Sequence, residues 1–428
     1  MKCFNNGIDI SLSTTGSWTD IDLGSYIPGG ATGVIILVRN THSSYHYQFG
    51  LRKNGSTDDR YYYLASNNQI IFCIGIDSNK IVEGKISNTY IKFILLGYFQ
   101  NDAYFFTNAY DKSISTTGAW TDIDCSGQIP SYGLAAIFEL GNPSASGMYY
   151  IAIRKNGSTD NRYMTRAMYV TSAIIGVDNN RICEGYISNT DMKFFLNGYL
   201  YYGTFKTNGL DKSLSTTGSY QDIDMSSDNP PSYHDSVLVE IYNPSDTGQT
   251  FLRKDGSSDD YYSYPTDRTF FPVGMVSNIF EGKISSTNVD YYVLGYFRDL
   301  DYIEIAVSDS LSLLDSPSCQ NEFTLSDEIL LNDNLFLNNE LIILDSFSLS
   351  DSASKVITSV IEVSDSLSLS ESIFPIDKNI FIEDTITLVE DMIFRKGFVM
   401  LNIDSKIVTQ IDVNGPISKI LIINSKIS

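Results

Sequence analysis

The chain contains Leu51-Arg52-Lys53-Asn54-Gly55-Ser56 and returns to it as Ile153-Arg154-Lys155-Asn156-Gly157-Ser158 and as Leu252-Arg253-Lys254-Asp255-Gly256-Ser257. A motif that recurs with its companions at fixed distances requires each copy to be a folding unit of one kind. Ser-Thr-Thr-Gly precedes each copy, with an aromatic residue two positions on: Trp18, Trp120 and Tyr220. Glu83-Gly84, Glu184-Gly185 and Glu281-Gly282 follow, then Gly-Tyr at 97–98, 198–199 and 295–296. Offsets of 102 and 100 between copies define three modules, 1–106, 107–206 and 207–300. Asn-Gly or Asp-Gly behind an apolar residue predicts a hairpin with a type I′ turn, in which both central residues take positive φ.

Within a module the pattern is that of strands. Gly33–Val38, Ala135–Leu140 and Tyr90–Tyr98 are apolar runs, and turn residues punctuate the chain roughly every 8–12 positions. No window keeps a helical period over three turns. Short strands at this spacing in a unit of this length predict an all-β fold of three tandem β-sandwich, jelly-roll-like modules.

Retention of Trp18, Trp120 and Tyr220 in every copy is better explained by a place in the core than by a role as ligand platforms, and Glu83, Glu184 and Glu281 read as turn or edge partners. The pairs Asp20/Asp22, Asp122/Asp124 and Asp222/Asp224 alternate along a strand, so both members face one side, as a solvated face or a Ca²⁺ site. Segments that differ between copies say more about binding. Tyr61, Tyr62, Tyr63, Tyr163, Tyr169, Tyr261, Tyr262 and Tyr264 follow the repeated motif, and a second divergent loop spans 42–47, 143–150 and 244–250. Tyrosine gives large, rigid, amphipathic contact area, so these are candidate ligand or receptor contacts; the alternative is that their rings fill sandwich edges.

Beyond residue 300 the composition changes. Residues 301–428 carry 21 acidic against 7 basic side chains and a single tyrosine, Tyr302. Asp309, Asp327, Asp345, Asp365 and Asp384 each open a short alternating segment such as Ser-Leu-Ser-Leu, at spacings of 18, 18, 20 and 19 residues. Between them lie further apolar segments such as Ile361-Glu362-Val363. Strands this short cannot bury themselves alone, so 301–391 is expected to form a β-rich stalk, stacked as a solenoid or intertwined as a trimer. Aligned acids there are candidate Ca²⁺ ligands. Residues 392–428 turn basic and read as a terminal docking or capping segment.

A net charge of −22 opposes nucleic acid as a partner. Five cysteines and three histidines show neither disulfide nor zinc spacing. No apolar run long enough to span a membrane occurs, and no secretory signal is visible at the start, which suits a protein released by lysis. There is no Gly-x-Ser-x-Gly, no His-Glu-x-x-His and no phosphate-cradling loop, so no enzyme is expected.

With Ser13-Thr14-Thr15-Gly16-Ser17-Trp18-Thr19-Asp20-Ile21-Asp22, the repeated Arg-Lys-Asn-Gly-Ser and the Glu-Gly-Lys-Ile-Ser segments, the modules resemble those of virion surface proteins of tailed viruses of bacteria and archaea. The Ser-Asp-Ser-Leu-Ser-Leu tract is similar to stalk repeats in such proteins and in some archaeal surface proteins. The resemblance implies a virion surface fibre or decoration protein that binds a receptor. It carries no functional residues over. The short strands of the stalk add the expectation of a trimer through 301–428, with other virion proteins and a host-surface glycan or protein as partners. A cellular adhesin or S-layer protein, and a tailspike that cleaves glycans with paired carboxylates, are the alternatives.

Overall fold

The computed structural model describes residues 1–298 except 101, 143–146, 166–169, 229, 231–233, 245–247 and 266–267, together with the backbone of the strands between Ser310 and Asn424. Met1–Leu300 and Asp301–Ser428 are two compact units.

The first module contains β1 (Lys2–Asp9), β2 (Thr19–Asp22), β3 (Ala31–Asn40), β4 (Tyr47–Lys53), β5 (Tyr62–Leu64), β6 (Asn68–Gly75), β7 (Ile81–Ile86) and β8 (Ile91–Gln100). They form two sheets, ordered β1-β8-β3-β6 and β2-β7-β4-β5. Eight strands exchanged between two antiparallel sheets in this order make a jelly roll.

The second module repeats it with β9 (Ala103–Asp111), β10 (Thr121–Asp124), β11 (Ala135–Gly141), β12 (Ile151–Lys155), β13 (Val170–Gly176), β14 (Ile182–Ile187) and β15 (Lys193–Leu200). The third uses β16 (Thr204–Asp211), β17 (Gln221–Asp224), β18 (His234–Tyr242), β19 (Thr250–Lys254), β20 (Tyr264–Pro265), β21 (Arg268–Gly274), β22 (Ile279–Ile284) and β23 (Asp290–Arg298). Among the described residues of the second and third modules, the partner of the fourth strand makes one bridge each, Ile151 to Met164 and Thr250 to Ser263. The boundaries drawn at 106/107 and 206/207 fall inside β9 and β16, which belong wholly to the following modules.

The apolar runs are inner-sheet strands buried on both faces. In β3, Val34, Ile36 and Val38 point into the module's own sandwich with Phe72 and Phe93. Ile35 and Leu37 point the other way, into one continuous core with residues of the other two modules. A strand covered on both sides has no polar face to show, hence a run rather than an alternation.

Three interfaces join the modules. Ser56 Oγ donates to Asn108 Oδ1 at 2.9 Å, and Ala109 N donates to Asp58 Oδ2 at 2.9 Å. Ser158 Oγ donates to Asn208 Oδ1 at 2.9 Å, and Gly209 N donates to Asp160 Oδ2 at 2.8 Å. Ser257 Oγ then donates to Asn6 Oδ1 at 3.1 Å, and Gly7 N donates to Asp259 Oδ2 at 2.7 Å. The third module thus clamps the first, and the chain closes on itself as a head-to-tail ring with pseudo-threefold symmetry. A parallel bridge of Tyr264 to Asn68 reinforces the closing interface. Close approach explains a glycine at the end of each sixth-strand equivalent: a Cβ at Gly75 would meet Phe105 at 2.5 Å, at Gly176 Phe205 at 2.6 Å, and at Gly274 Cys3 at 2.9 Å.

The repeated motif is this clamp, and its turn is not type I′. Ser56 N donates to Lys53 O at 3.0 Å, with counterparts at Ser158 and Ser257. Gly55, Gly157 and Gly256 have φ of 78°, 77° and 75°, whereas Asn54, Asn156 and Asp255 are not at positive φ. Positive φ at the second central residue only is the type II pattern. It directs the following serine and aspartate to the next module instead of reversing the chain at once.

In the second unit the short strands pair in parallel. Ser310, Glu328, Ser346, Ser366 and Thr385 lie in one register. The intervening strands Phe323–Leu325, Leu341–Ile343, Ile361–Val363, Ile380–Ile382 and Phe398–Ile403 form a second ladder, which Lys419–Asn424 extends. One repeat is therefore one rung, and the basic end continues the ladder. Asp309, Asp327, Asp345, Asp365 and Asp384 lie outside the described residues.

Candidate binding surfaces

On the outer sheet, alternation sends Glu83 outward and Gly84 inward, where a Cβ would meet Ile21 and Phe93 at 2.9 Å. Glu83 lies within β7, not at a turn, and receives Arg52 through Nε at 2.9 Å and Nη2 at 3.0 Å. Arg154–Glu184 and Arg253–Glu281 repeat the pair.

Each arginine lies over an aromatic ring: Arg52 over Trp18 at 4.2 Å, Arg154 over Trp120 at 3.9 Å and Arg253 over Tyr220 at 3.5 Å. Trp18 Nε1 donates to Asp59 at 2.8 Å, Trp120 Nε1 to Asn161 at 2.9 Å and the Tyr220 hydroxyl to Asp260 at 2.9 Å. The expectation of a core position for these rings is corrected: all three are half-buried on the outer face. They recur because each stacks on the arginine of the clamp motif.

The predicted tyrosines divide between this surface and the ring interfaces. Tyr61 lies under Lys85 at 4.7 Å, and Tyr262 under Lys283 at 4.3 Å. Tyr163 packs on Trp120, Tyr150 and Tyr186 with centroids 5.9, 5.8 and 4.8 Å away. These three join Trp18, Tyr220 and Trp120 in an outward aromatic platform on each module, and Tyr63 is exposed beside the first.

Tyr62, Tyr261 and Tyr264 serve the ring instead. The Tyr62 hydroxyl donates to Glu139 of the next module, and burial beside that carboxylate pushes its pKa well up. Tyr261 packs under Arg39 at 5.3 Å, and Tyr264 is the closing bridge. Tyr169 lies outside the described residues.

In the third module Asp222, Asp255 and Glu281 bring ligand oxygens within 4.8 Å of one another, a spacing a divalent cation can use. Glu281 is already engaged by Arg253. The other aspartate pairs are exposed, and Asp22, Asp124 and Asp224 accept from Gly24, Ser126 and Ser226 backbone N–H groups.

One surface was not anticipated. Tyr104, Phe106, Tyr110, Tyr132, Tyr199, Tyr201 and Tyr202 form a connected set of rings on the second module, with neighbouring centroids 4.9–6.3 Å apart. Tyr104 is 52% exposed, Tyr110 46%, Tyr132 62% and Tyr202 41%. The first module has Lys2, Phe4, Ile8 and Gln100 at the positions of Tyr104, Phe106, Tyr110 and Tyr201, and the third has Thr204, Lys206, Leu210 and Arg298. That departure between copies was the available signal.

No family model, curated protein or solved structure matches the chain.

Proposed function

We propose that this chain is a non-enzymatic surface protein of a virus particle, a fibre or decoration protein that attaches the particle to its host. The observation that carries attachment is the tyrosine patch of the second module. The exposed rings of Tyr104 and Tyr110 are not needed by the jelly roll, since the other two copies fold with Lys2 and Ile8 or Thr204 and Leu210 in their places. The virion setting is supported by the resemblance of the modules and the stalk-like repeats. Trimerisation through 301–428 and contacts with other virion proteins belong to the same reading, with a host-surface glycan or protein as the receptor.

The experiment is competition. The purified chain should block adsorption of particles to host cells, and replacing Tyr104, Tyr110, Tyr132 and Tyr202 together with Ser should abolish the block without loss of folding. Blocking that survives this replacement would remove the patch from attachment, and absence of the chain from purified particles by mass spectrometry would defeat the virion assignment.

A further inference from the structure

The three modules differ at a position just after the first strand. The second and third write Asp111-Lys112-Ser113 and Asp211-Lys212-Ser213, the first Asp9-Ile10-Ser11. Lys112 Nζ donates to Asp124 O at 2.8 Å, and Lys212 Nζ to Asp224 O at 3.1 Å. In the third module Asp228 also pairs with Lys212. The first module changes both members of that plug, with Ile10 in place of the lysine and Tyr26 in place of the aspartate. Ile10 is 8% exposed, with its side chain in the core, whereas Tyr26 is 42% exposed.

What the plug would fill is an open cleft of about 680 Å³, whose walls include Asp9, Ser13, Asp22, Tyr26, Thr89 and Lys92. Asp9 and Asp22 each give one oxygen to a backbone N–H, of Ser11 at 2.9 Å and Gly24 at 2.8 Å. The second oxygen of each has no such bond among the described residues. Lys92 forms no ion pair among the described residues.

The cleft therefore offers one cationic donor, two carboxylate acceptors, hydroxyls that can do either, and a half-exposed aromatic ring. An apolar ligand would strand the charged groups, and an anionic one would face two carboxylates against a single lysine. A ring that carries several hydroxyls on one side and C–H bonds on the other satisfies all of them, and the volume is that of an ordinary small-ligand site. We propose that this cleft binds one neutral, hexose-sized sugar unit. The site is separate from the tyrosine patch and does not depend on the attachment reading.

Saturation-transfer NMR on the full chain tests it, with the methyl glycosides of glucose, galactose, mannose and N-acetylglucosamine as neutral probes and methyl glucuronoside as the anionic one. At least one neutral glycoside should receive saturation. The double variant Ile10→Lys/Tyr26→Asp, which rebuilds the third module's plug, should weaken that binding more than about tenfold. Lys92→Ala, at the surface, should weaken it too if the double variant fails to fold. No transfer to any neutral probe, transfer unchanged in the folded plugged variant or in Lys92→Ala, or preference for the glucuronoside would each overturn the proposal.

Discussion

Arg60 of the first module donates to Glu139 of the second at 2.7 Å, and Arg162 repeats the contact to Glu240 of the third at 2.9 Å. At the closing interface the arginine position holds Tyr261 and the glutamate position holds Leu37, the leucine in the shared apolar core and the tyrosine packed against it. At this pair of positions two interfaces carry an ion pair and the third carries uncharged side chains. Each module therefore fits its proper neighbour, and a wrong pairing would bury an unpaired charge.

Removing one member of a charged pair should be costly. Glu240 is fully buried and also receives Arg268, so Glu240→Ala should destabilise by about 3–5 kcal/mol in denaturant unfolding. Leu37→Glu alone should destabilise comparably, and adding Tyr261→Arg should recover a large part of the loss. If the two changes add without coupling, positions 37 and 261 are not the counterparts of 139 and 60.

Acid should unfold the ring through Glu240. Burial raises this carboxyl, but Arg268 and Arg162 outweigh burial and hold it below its ordinary value. A depressed folded pKa gives stability that is complete above the unfolded value, about 4.3, and lost as pH falls through the folded value. Urea midpoints from about pH 6 to pH 3 should fall steeply in the wild type and less steeply in Glu240→Gln. Equal slopes would remove Glu240 as the titrating group.

Gly157→Val isolates backbone strain, because nothing lies within 4 Å of the Cβ it would add. At a φ of 77° the branched side chain should cost about 1–3 kcal/mol. Gly157→Asn should cost less, since asparagine tolerates that region. Equal melting temperatures for wild type and Gly157→Val would contradict the turn geometry.

The tyrosines of the first module should separate by role. Tyr62→Phe removes a donor to buried Glu139 and should cost about 1–3 kcal/mol of stability. Tyr63→Ser, at an exposed position, should change stability by less than about 0.5 kcal/mol. Similar losses at both positions would contradict the division between interface and surface.

The fold class was legible because apolar runs, turn residues and the repeat all pointed to short strands, and the rung length of the second unit followed from the spacing of Asp309 to Asp384. Ring closure was not legible. Asn6, Asn108 and Asn208 repeat as Asn-Gly or Asn-Ala, but so small a signal gains meaning only when Ser257 is seen beside Asn6. Retention of Trp18 and Trp120 was real and its cause was misread, since stacking on an arginine and packing in a core leave the same trace in one sequence. The tyrosine patch went unread because its rings come from β9, β15 and two loops, which no local window joins.

A double-mutant cycle between Asn6 and Ser257 tests ring closure most directly. The two side chains meet at 3.1 Å although 251 residues separate them in the chain. Asn6→Ala, Ser257→Ala and the double variant of the full chain should show a coupling of about 0.5–1.5 kcal/mol in equilibrium unfolding. Additivity within about 0.3 kcal/mol would mean that the third module does not clamp the first and that the ring is open.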